Sequence, residues 1–358
     1  MVRKIALFLT CFVATLALAQ DTTPKVTLHG FGEWAYVRTD GNEFRDGNEE
    51  GDYDTIGFGL NASTAIGDKL TVTGQLALRT RDGDQAEAEL DYAFAQWRFS
   101  DELQVRIGRS KHPFGIYTEV FDIGTLRPFF HLPLSIYGPS EIAAQSYNGV
   151  GVTGLRRMNG QTSLDYDVYF GEVTFDPSQR VDASEESEQV RDVLGGRVRY
   201  HTAIDGLSFG ASAYTGVTEE EGEEEGEAET PRHVNLGVHA EYSMLPLTLR
   251  AEIGRHHEAT EAKTFAYYLE AAYRVGEHLE LAGRFDRFDV TPEDEGDVGG
   301  DVDHRDIGLG VNYWFNPNFV LKASLHRVNG FAVAAPTNDD DLDDDETHAF
   351  VFGAQFSF

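Results

Sequence analysis

The sequence predicts an all-β protein: a transmembrane, antiparallel, up-and-down β-barrel of about sixteen strands. Three observations predict it. The N-terminus has the features of an export signal, and apolar side chains recur at every second position in many successive segments. The connections between these segments alternate between short and long, which is typical of a β-barrel that crosses a membrane.

The first nineteen residues have the features of a cleavable signal peptide. Arg3 and Lys4 precede an apolar run from Ile5 to Ala19, and this run ends in small residues, Ala17-Leu18-Ala19. The run is shorter than the roughly 20 residues that a membrane-spanning helix needs. Cleavage after residue 19 would remove the one cysteine and leave residues 20–358 as a single barrel domain.

The C-terminal segment, residues 348–358, shows the strand pattern most clearly. Alternate positions from Phe350 to Phe358 are aromatic or Ala, and the positions between them are small or polar. This alternation indicates a strand with one face toward lipid and the other toward water. The same pattern predicts sixteen strands, near residues 25–38, 53–65, 69–80, 88–99, 103–109, 147–156, 161–171, 190–201, 207–217, 232–243, 246–256, 263–274, 278–289, 303–315, 318–328 and 346–358.

The connections fall into two sets. One set is short and rich in turn residues, and the alternate set is longer and acidic. A barrel with short turns on one rim and long loops on the other explains this alternation. The acidic connections are residues 41–52, 182–189, 219–229, 293–301 and 338–346.

Charge distribution indicates a wet interior. The chain has 29 basic and 61 acidic residues, a net charge of −32, which argues against nucleic acid as a partner. A ring of sixteen strands is too wide for side chains to fill, and burying many ions without water would be prohibitive. The inward faces are predicted to carry Arg106, Arg197, Arg199, Arg250, Glu252, Glu270, Arg274, Arg284, Asp286 and Lys322.

The third long connection, residues 108–145, differs from the other loops. It is less acidic and is rich in aromatic residues, Pro and Gly, including Phe121, Phe129 and Phe130. A loop in open solvent has no reason to carry so many apolar side chains. We therefore expect it to fold inward and narrow the pore, although it could instead cap the barrel outside or mediate subunit contacts.

Inward folding would form a charged constriction. Acids on the loop would face arginines on the barrel wall, and the resulting transverse field would favour small polar solutes. The predicted constriction residues are Lys111, Glu119, Asp122, Arg127 and His131 from the loop region, with Arg79, Arg106, Arg250 and Arg284 from the wall.

Three features can be compared with known families: LHGFGEWAYV at the first strand, GRSKHPFGIYTEVFDIGTLRPF in the third loop, and the terminal Phe358. They resemble the Gram-negative outer-membrane porins, in particular the superfamily that includes the phosphate-selective porins O and P. The resemblance implies a sixteen-stranded barrel, usually trimeric, with an inserted third loop. It also implies that Phe358 is the assembly signal that the barrel assembly machinery reads. Phosphate-selective members carry ladders of arginine and lysine, whereas this lumen mixes both signs, so phosphate specificity is not carried over.

The predicted function is passive diffusion of ions and small hydrophilic solutes across the outer membrane of a Gram-negative bacterium, where lipid and lipopolysaccharide surround the barrel. The chain is not expected to be an enzyme, because it has no GxSxG motif and no distinct Ser-His-Asp set. A porin specific for phosphate or another oxyanion remains an alternative. So do an outer-membrane enzyme and a structural or adhesive barrel with a plugged lumen.

No cofactor is expected. The acidic connections could hold Ca²⁺ or Mg²⁺ loosely, since these ions prefer oxygen ligands, but a run of like charges is more often simply solvated. In either case these loops should concentrate cations near the mouth and give a mild cation preference.

Overall fold

A closed ring of sixteen antiparallel strands forms the molecule, which confirms the predicted fold class. The structure is a computed structural model. It describes residues 25–45, 47–80, 87–140, 142–158, 160–175, 188–218, 232–258, 262–292, 302–330, 334–335 and 346–358. The predicted signal peptide, residues 1–19, lies outside the described residues.

Each predicted strand has a counterpart whose ends differ by a few residues at most. The strands of the ring are β1 (Val26–Thr39), β3 (Asp52–Ile66), β4 (Leu70–Arg79), β5 (Glu87–Arg98), β6 (Gln104–Lys111), β7 (Ser146–Arg157), β8 (Ser163–Phe175), β9 (Glu188–His201), β10 (Leu207–Thr218), β11 (Arg232–Met244), β12 (Leu247–Glu258), β13 (Ala262–Val275), β14 (Leu279–Pro292), β15 (Val302–Asn316), β16 (Phe319–Asn329) and β18 (Glu346–Ser357). Two short strands, β2 (Glu43–Phe44) and β17 (Ala334–Ala335), pair with each other outside the ring. The helical segments among the described residues are α1 (Leu134–Tyr137) and two 3-10 turns, Thr118–Val120 and Gly124–Leu126.

The ring closes where β1 pairs with β18. Gly30 and Phe358 exchange backbone hydrogen bonds of 2.9 and 2.8 Å. The rings of Phe358 and Phe356 lie over Gly30 and Gly32, where any Cβ atom would collide with them. Glycine at these two positions therefore lets the terminal aromatic side chains lie flat against the first strand.

The two faces of the wall differ as the sequence predicts. Leu309 and Leu325 point outward and remain 66% and 63% exposed. Lys322 and Asp286 point inward and are almost fully buried. All ten charged side chains predicted for the inner face lie there, and aromatic side chains on the outer face near the short-turn rim include Trp97, Phe99, Tyr273, Tyr313 and Phe315. Such an aromatic girdle marks a membrane interface.

No helix within the described ranges is both long and apolar enough to cross a membrane.

The acidic connections are described only in part. Residues 219–229 and 293–301, and most of 182–189 and 338–346, lie outside the described residues. Connection 41–52 is described except for residue 46, and it is not simply solvated. Phe44 is 2% exposed and forms a buried cluster with Leu134, Val328 and Ala349. This packing removes the one aromatic side chain of an otherwise polar segment from water.

An arginine on the outer face should destabilise the barrel in lipid. We expect Leu309→Arg, near the middle of β15, to lower the free energy of unfolding in phospholipid vesicles by about 2–4 kcal/mol, because the charge would enter hydrocarbon. Denaturant titration followed by tryptophan fluorescence measures this change. Leu309→Val is the control and should change the stability far less. Unchanged stability of Leu309→Arg would show that this face does not contact lipid.

Candidate pore constriction

The inserted loop, described over residues 112–140 and 142–145, lies inside the barrel, so the predicted inward folding is confirmed. It begins at His112 rather than at residue 108, because β6 continues to Lys111 and pairs there with Ser146 of β7. Phe129 and Tyr137 of the loop are 1% and 2% exposed. Together with other apolar loop residues they form clusters with inward-facing side chains of the wall.

Hydrogen bonds fix the loop to β12, β13 and β14. The hydroxyl of Tyr137 donates to Glu252, and that of Tyr117 donates to Glu270. The backbone N–H of Leu134 donates to Asp286 at 2.6 Å. Carboxylates of the wall therefore accept hydrogen bonds from the loop, and this satisfies polar groups that burial would otherwise leave unpaired.

A lysine holds the loop on the neighbouring part of the wall. The Nζ atom of Lys322 on β16 donates to the carbonyl oxygens of Gly124, at 2.7 Å, and Phe129, at 3.3 Å, and also to that of Arg127. On β15, Asn312 donates to the carbonyl of Pro128 at 2.7 Å. In its described part the loop has only short helical segments, so many of its carbonyl groups have no partner in a strand or long helix, and these two side chains supply donors to some of them.

The loop turns sharply at Gly115 where it meets the wall. Gly115 has a φ of +62°, a left-handed conformation that favours glycine. A Cβ atom there would also collide with Glu252 and Tyr137. Its N–H donates to the hydroxyl of Ser212 on β10 at 3.1 Å. Glycine is therefore required both for the turn and for the close approach.

The most exposed side chains of the inserted loop belong to its tip, residues 119–126. Glu119 keeps 38% of its side chain exposed, and Leu126 is 48% exposed. Val120, Phe121 and Ile123 are partly exposed. The loop tip thus presents one half-exposed carboxylate among apolar side chains to the remaining lumen.

Asp122 is the second acid of the loop tip, and it is buried among cations. It forms an ion pair with Lys111 at 2.6 Å and another with Arg79 on β4. Lys111 also pairs with Asp91 on β5 at 2.7 Å, and the amide of Gln75 donates to both aspartates. The charges in this cluster largely cancel one another.

Glu119 meets a second group of arginines on β6 and β9. Its carboxylate pairs with Arg197 at 2.7 Å, and Arg197 also pairs with Asp167 on β8 at 2.9 Å. Arg199 and Arg106 are close enough to act on Glu119 electrostatically. Loop acids and wall arginines therefore meet directly at the tip.

The pKa values of the two loop acids favour their charged forms. Burial alone would raise the pKa of Asp122, but Lys111 and Arg79 hold that pKa well below its usual range. For Glu119, burial is likewise outweighed by Arg197, Arg199 and Arg106, which lower its pKa. Both carboxylates consequently remain ionised at neutral and mildly acidic pH.

The remaining predicted constriction residues hold the loop, and Arg127 among them also donates to the carbonyl of Phe121 in the tip. Arg127 donates through Nε to the carbonyl of Phe130 at 2.9 Å. Arg284 donates to the carbonyl of His131 at 2.9 Å and pairs with Glu270 at 2.6 Å. Arg250 pairs with Glu241 at 2.8 Å. The predicted set is therefore divided: Lys111, Glu119, Asp122, Arg79 and Arg106 surround the loop tip, whereas Arg127, His131, Arg250 and Arg284 anchor the loop.

Three residues at this site, Asp91, Arg197 and Arg199, were not assigned to the constriction from the sequence. Asp91 was missed because the register of β4 and β5 shifts between Gln75 and Leu76, and simple alternation does not place it beside Lys111. Arg197 and Arg199 were predicted to face inward but were not assigned to the constriction. Their position in one strand on either side of the outward-facing Val198, beside Asp167 in β8, is a signal that could have identified them.

Within the described ranges, no three His, Cys, Asp or Glu side chains are grouped so that they could hold a metal ion. The prediction that acidic connections bind Ca²⁺ or Mg²⁺ concerns residues that lie mostly outside those ranges.

The chain matches one family model and is similar in structure to many solved proteins. The model of the family described as "Gram-negative porin" matches residues 6–330. No curated protein matches the chain in sequence. The outer membrane channel DcaP of Acinetobacter baumannii is 12% identical, with 94% of this chain and 97% of that chain covered and a TM-score of 0.63. The anion-selective porin from Comamonas acidovorans is 16% identical (94% and 100% covered, TM-score 0.58), and OmpT of Vibrio cholerae in its trimer form is 13% identical (94% and 99% covered, TM-score 0.58).

Neutralising Asp122 should make the pore more permeable to anions. In Asp122→Asn, Lys111 and Arg79 lose a shared carboxylate, so positive charge is exposed to the lumen. A unit charge about 6 Å away through water is worth about 0.7 kcal/mol, roughly a threefold change in local chloride concentration. The reversal potential in a KCl gradient measures this shift. Asp289→Asn, which removes an acid paired with Arg287 on the outer face, is the control; an equal shift in both variants would contradict the prediction.

Proposed function

Because the chain belongs to the Gram-negative porin family and is an outer-membrane β-barrel, we propose that it is a diffusion channel for ions and small hydrophilic solutes. One observation carries this proposal. Inside a closed ring with a charged inner face, the inserted loop keeps a half-exposed carboxylate at its tip, beside arginines of the wall. Such a lumen holds water, and water in a closed barrel is a path for solutes. An outer-membrane enzyme finds no support in the family.

We further propose that the loop tip and the wall arginines set the selectivity. Glu119 of the loop tip pairs with Arg197 of the wall and lies close to Arg106 and Arg199, so we expect a passing solute to experience the field between this acid and these arginines. Small polar solutes tolerate this field, whereas apolar solutes would disrupt the oriented water. The ion pairs of Asp122 reduce the field near β4, and Glu119 therefore contributes more to it.

A second candidate is a porin that prefers phosphate or another oxyanion. Arg106 and Arg199 favour it, because neither has a carboxylate within 4.0 Å among the described residues. Arg199 makes only a long contact, 3.5 Å, with the carbonyl of Gly115. Anion selectivity is also what the printed description of the Comamonas acidovorans protein states for that porin.

We also propose, by analogy with other porins, how the protein assembles in the membrane. The resemblance to porins supports a homotrimer surrounded by lipid and lipopolysaccharide, and the Vibrio cholerae OmpT structure is described as a trimer form. Phe358 is 56% exposed at the end of the last strand, where the barrel assembly machinery could contact it.

Conductance tests the proposed channel directly. We expect refolded protein to insert into planar bilayers and give stable, ohmic current steps in KCl, because the inner face is polar and hydrated. A protein that inserts, as shown by protease protection in vesicles, yet gives no current would contradict the proposal. That result would favour a structural barrel with a plugged lumen.

The acidic connections should give the pore a mild preference for cations. Shortening residues 219–229 and 338–346 to neutral turns removes many of the acids behind the net charge of −32. We expect the cation preference, measured as the reversal potential in a KCl gradient, to decrease. The effect should be largest at low salt, since screening acts over about 8–10 Å at ordinary ionic strength. An unchanged reversal potential, or anion selectivity of the unmodified protein, would refute this prediction.

A further inference from the structure

Four arginines in the described part of the barrel are stacked on aromatic rings. The distances from the guanidinium carbon to the ring centroid are 5.3 Å for Arg106 on Phe94, 5.0 Å for Arg250 on Tyr117, 4.6 Å for Arg274 on Trp314 and 4.4 Å for Arg284 on Phe129. A cation at this distance is attracted by the electrons of the ring face. The same local arrangement thus occurs four times on the inner face of the wall.

Three of these arginines have a carboxylate as a second partner besides the ring. Arg250 pairs with Glu241 at 2.8 Å, Arg274 with Glu280 at 3.4 Å, and Arg284 with Glu270 at 2.6 Å. A planar guanidinium binds a carboxylate through its edge while its face lies on a ring, so the two contacts do not compete. In this barrel, a stacked arginine usually holds a carboxylate as well.

Arg106 is the exception. Its Nε atom donates to the amide oxygen of Gln96 at 2.7 Å, and Gln96 is itself fixed because its amide nitrogen donates to Gln104 at 2.6 Å. Among the described residues no carboxylate lies within ion-pair distance of Arg106, and no hydrogen bond uses its two terminal nitrogens. The nearby acids Glu119 and Asp167 both pair with Arg197. Arg106 is therefore held in place with donors free toward the lumen.

The surroundings of Arg106 offer an aromatic surface. Tyr92 lies 5.9 Å from Phe94, between ring centroids, and both side chains are partly exposed on the inward face of β5. The Nζ atom of Lys111 lies 6.0 Å from the ring centroid of Tyr92 and 5.7 Å from that of Phe121 in the loop tip. On their other side, Arg106 and Lys111 line a small cavity together with Tyr147, Tyr169 and Asp167. Rings and cations therefore alternate along this side of the lumen.

We propose that Arg106, Phe94 and Tyr92 form a binding site for aromatic carboxylates inside the pore. The carboxylate takes the place that Glu241, Glu280 and Glu270 fill at the other stacked arginines, and the aromatic ring lies against Phe94 and Tyr92. An inorganic anion would contact only the guanidinium, and a neutral aromatic molecule would contact only the rings. Each would therefore bind more weakly than an aromatic carboxylate. The inference rests on the proposed function, because such a solute reaches this site only through an open channel.

Benzoate is the probe for this site. In single-channel recordings we expect benzoate to interrupt the current in a concentration-dependent way, since a solute that binds in a pore occupies it. Its half-blocking concentration should be about tenfold lower than that of acetate, because a well-placed ring contact is worth roughly a factor of ten. Benzyl alcohol and phosphate should block as weakly as acetate.

Substitutions locate the site. Arg106→Gln should raise the half-blocking concentration of benzoate about tenfold or more, because a charge-assisted bidentate contact is lost, and Phe94→Ala should raise it severalfold. Arg274→Gln is the matched control: this arginine also faces inward on a ring, but Glu280 already occupies it, so the block should be unchanged. Equal effects of Arg106→Gln and Arg274→Gln, or equal block by acetate and benzoate, would overturn the inference.

A missing benzoate site and a missing channel would give different results. A protein that conducts but is not blocked by benzoate remains a diffusion channel without this site. Calorimetric titration of benzoate into the folded protein in detergent gives a readout that does not depend on current. We expect measurable binding that Arg106→Gln abolishes and Arg274→Gln preserves, and an absence of binding to the unmodified protein would overturn the inference.

Discussion

The pairing of the first strand with the last is the constraint on which the other features depend. In hydrocarbon every backbone N–H and C=O group must find a partner within the protein, and an open sheet edge would leave a row of them unpaired. The hydrogen bonds between Gly30 and Phe358 complete the ring. Only a complete ring encloses a lumen, and only a hydrated lumen can accommodate the many charged side chains of the inner face.

The charged side chains of the wall serve two different purposes. On β12 to β16 most of them are buried, and they hold the inserted loop: Glu252, Glu270 and Asp286 accept from it and Lys322 donates to it. On β6 and β9, Arg106 and Arg199 remain partly exposed. Many anchors of the loop thus come from β12 to β16, whereas partly exposed arginines remain on β6 and β9, where Arg197 also holds Glu119 of the loop tip.

The sequence predicted the strands and the inserted loop well, and the partners of individual charges poorly. Alternation has a period of two, so it identifies strands such as β15 and the direction of Lys322 from local sequence alone. Apolar residues such as Phe129 likewise show that the third loop is buried. Pairing across the lumen depends on register and on the path of the loop, and neither is local. Asp122 therefore meets Lys111 and Arg79, whereas Arg250 and Arg284, equally plausible from the sequence, hold the loop elsewhere.

The positions of the anchoring residues along the chain have a consequence for how the channel forms. The inserted loop lies between β6 and β7, but Glu252, Glu270, Asp286, Asn312 and Lys322 all come later in the sequence. A chain that has formed only its N-terminal half can hold the loop through contacts such as those of Asp122 with Arg79 and Lys111, but it lacks these later anchors. The narrow passage is therefore created late, when the final strands arrive, and any intermediate with a nearly complete wall would have a wider and less discriminating opening than the finished protein.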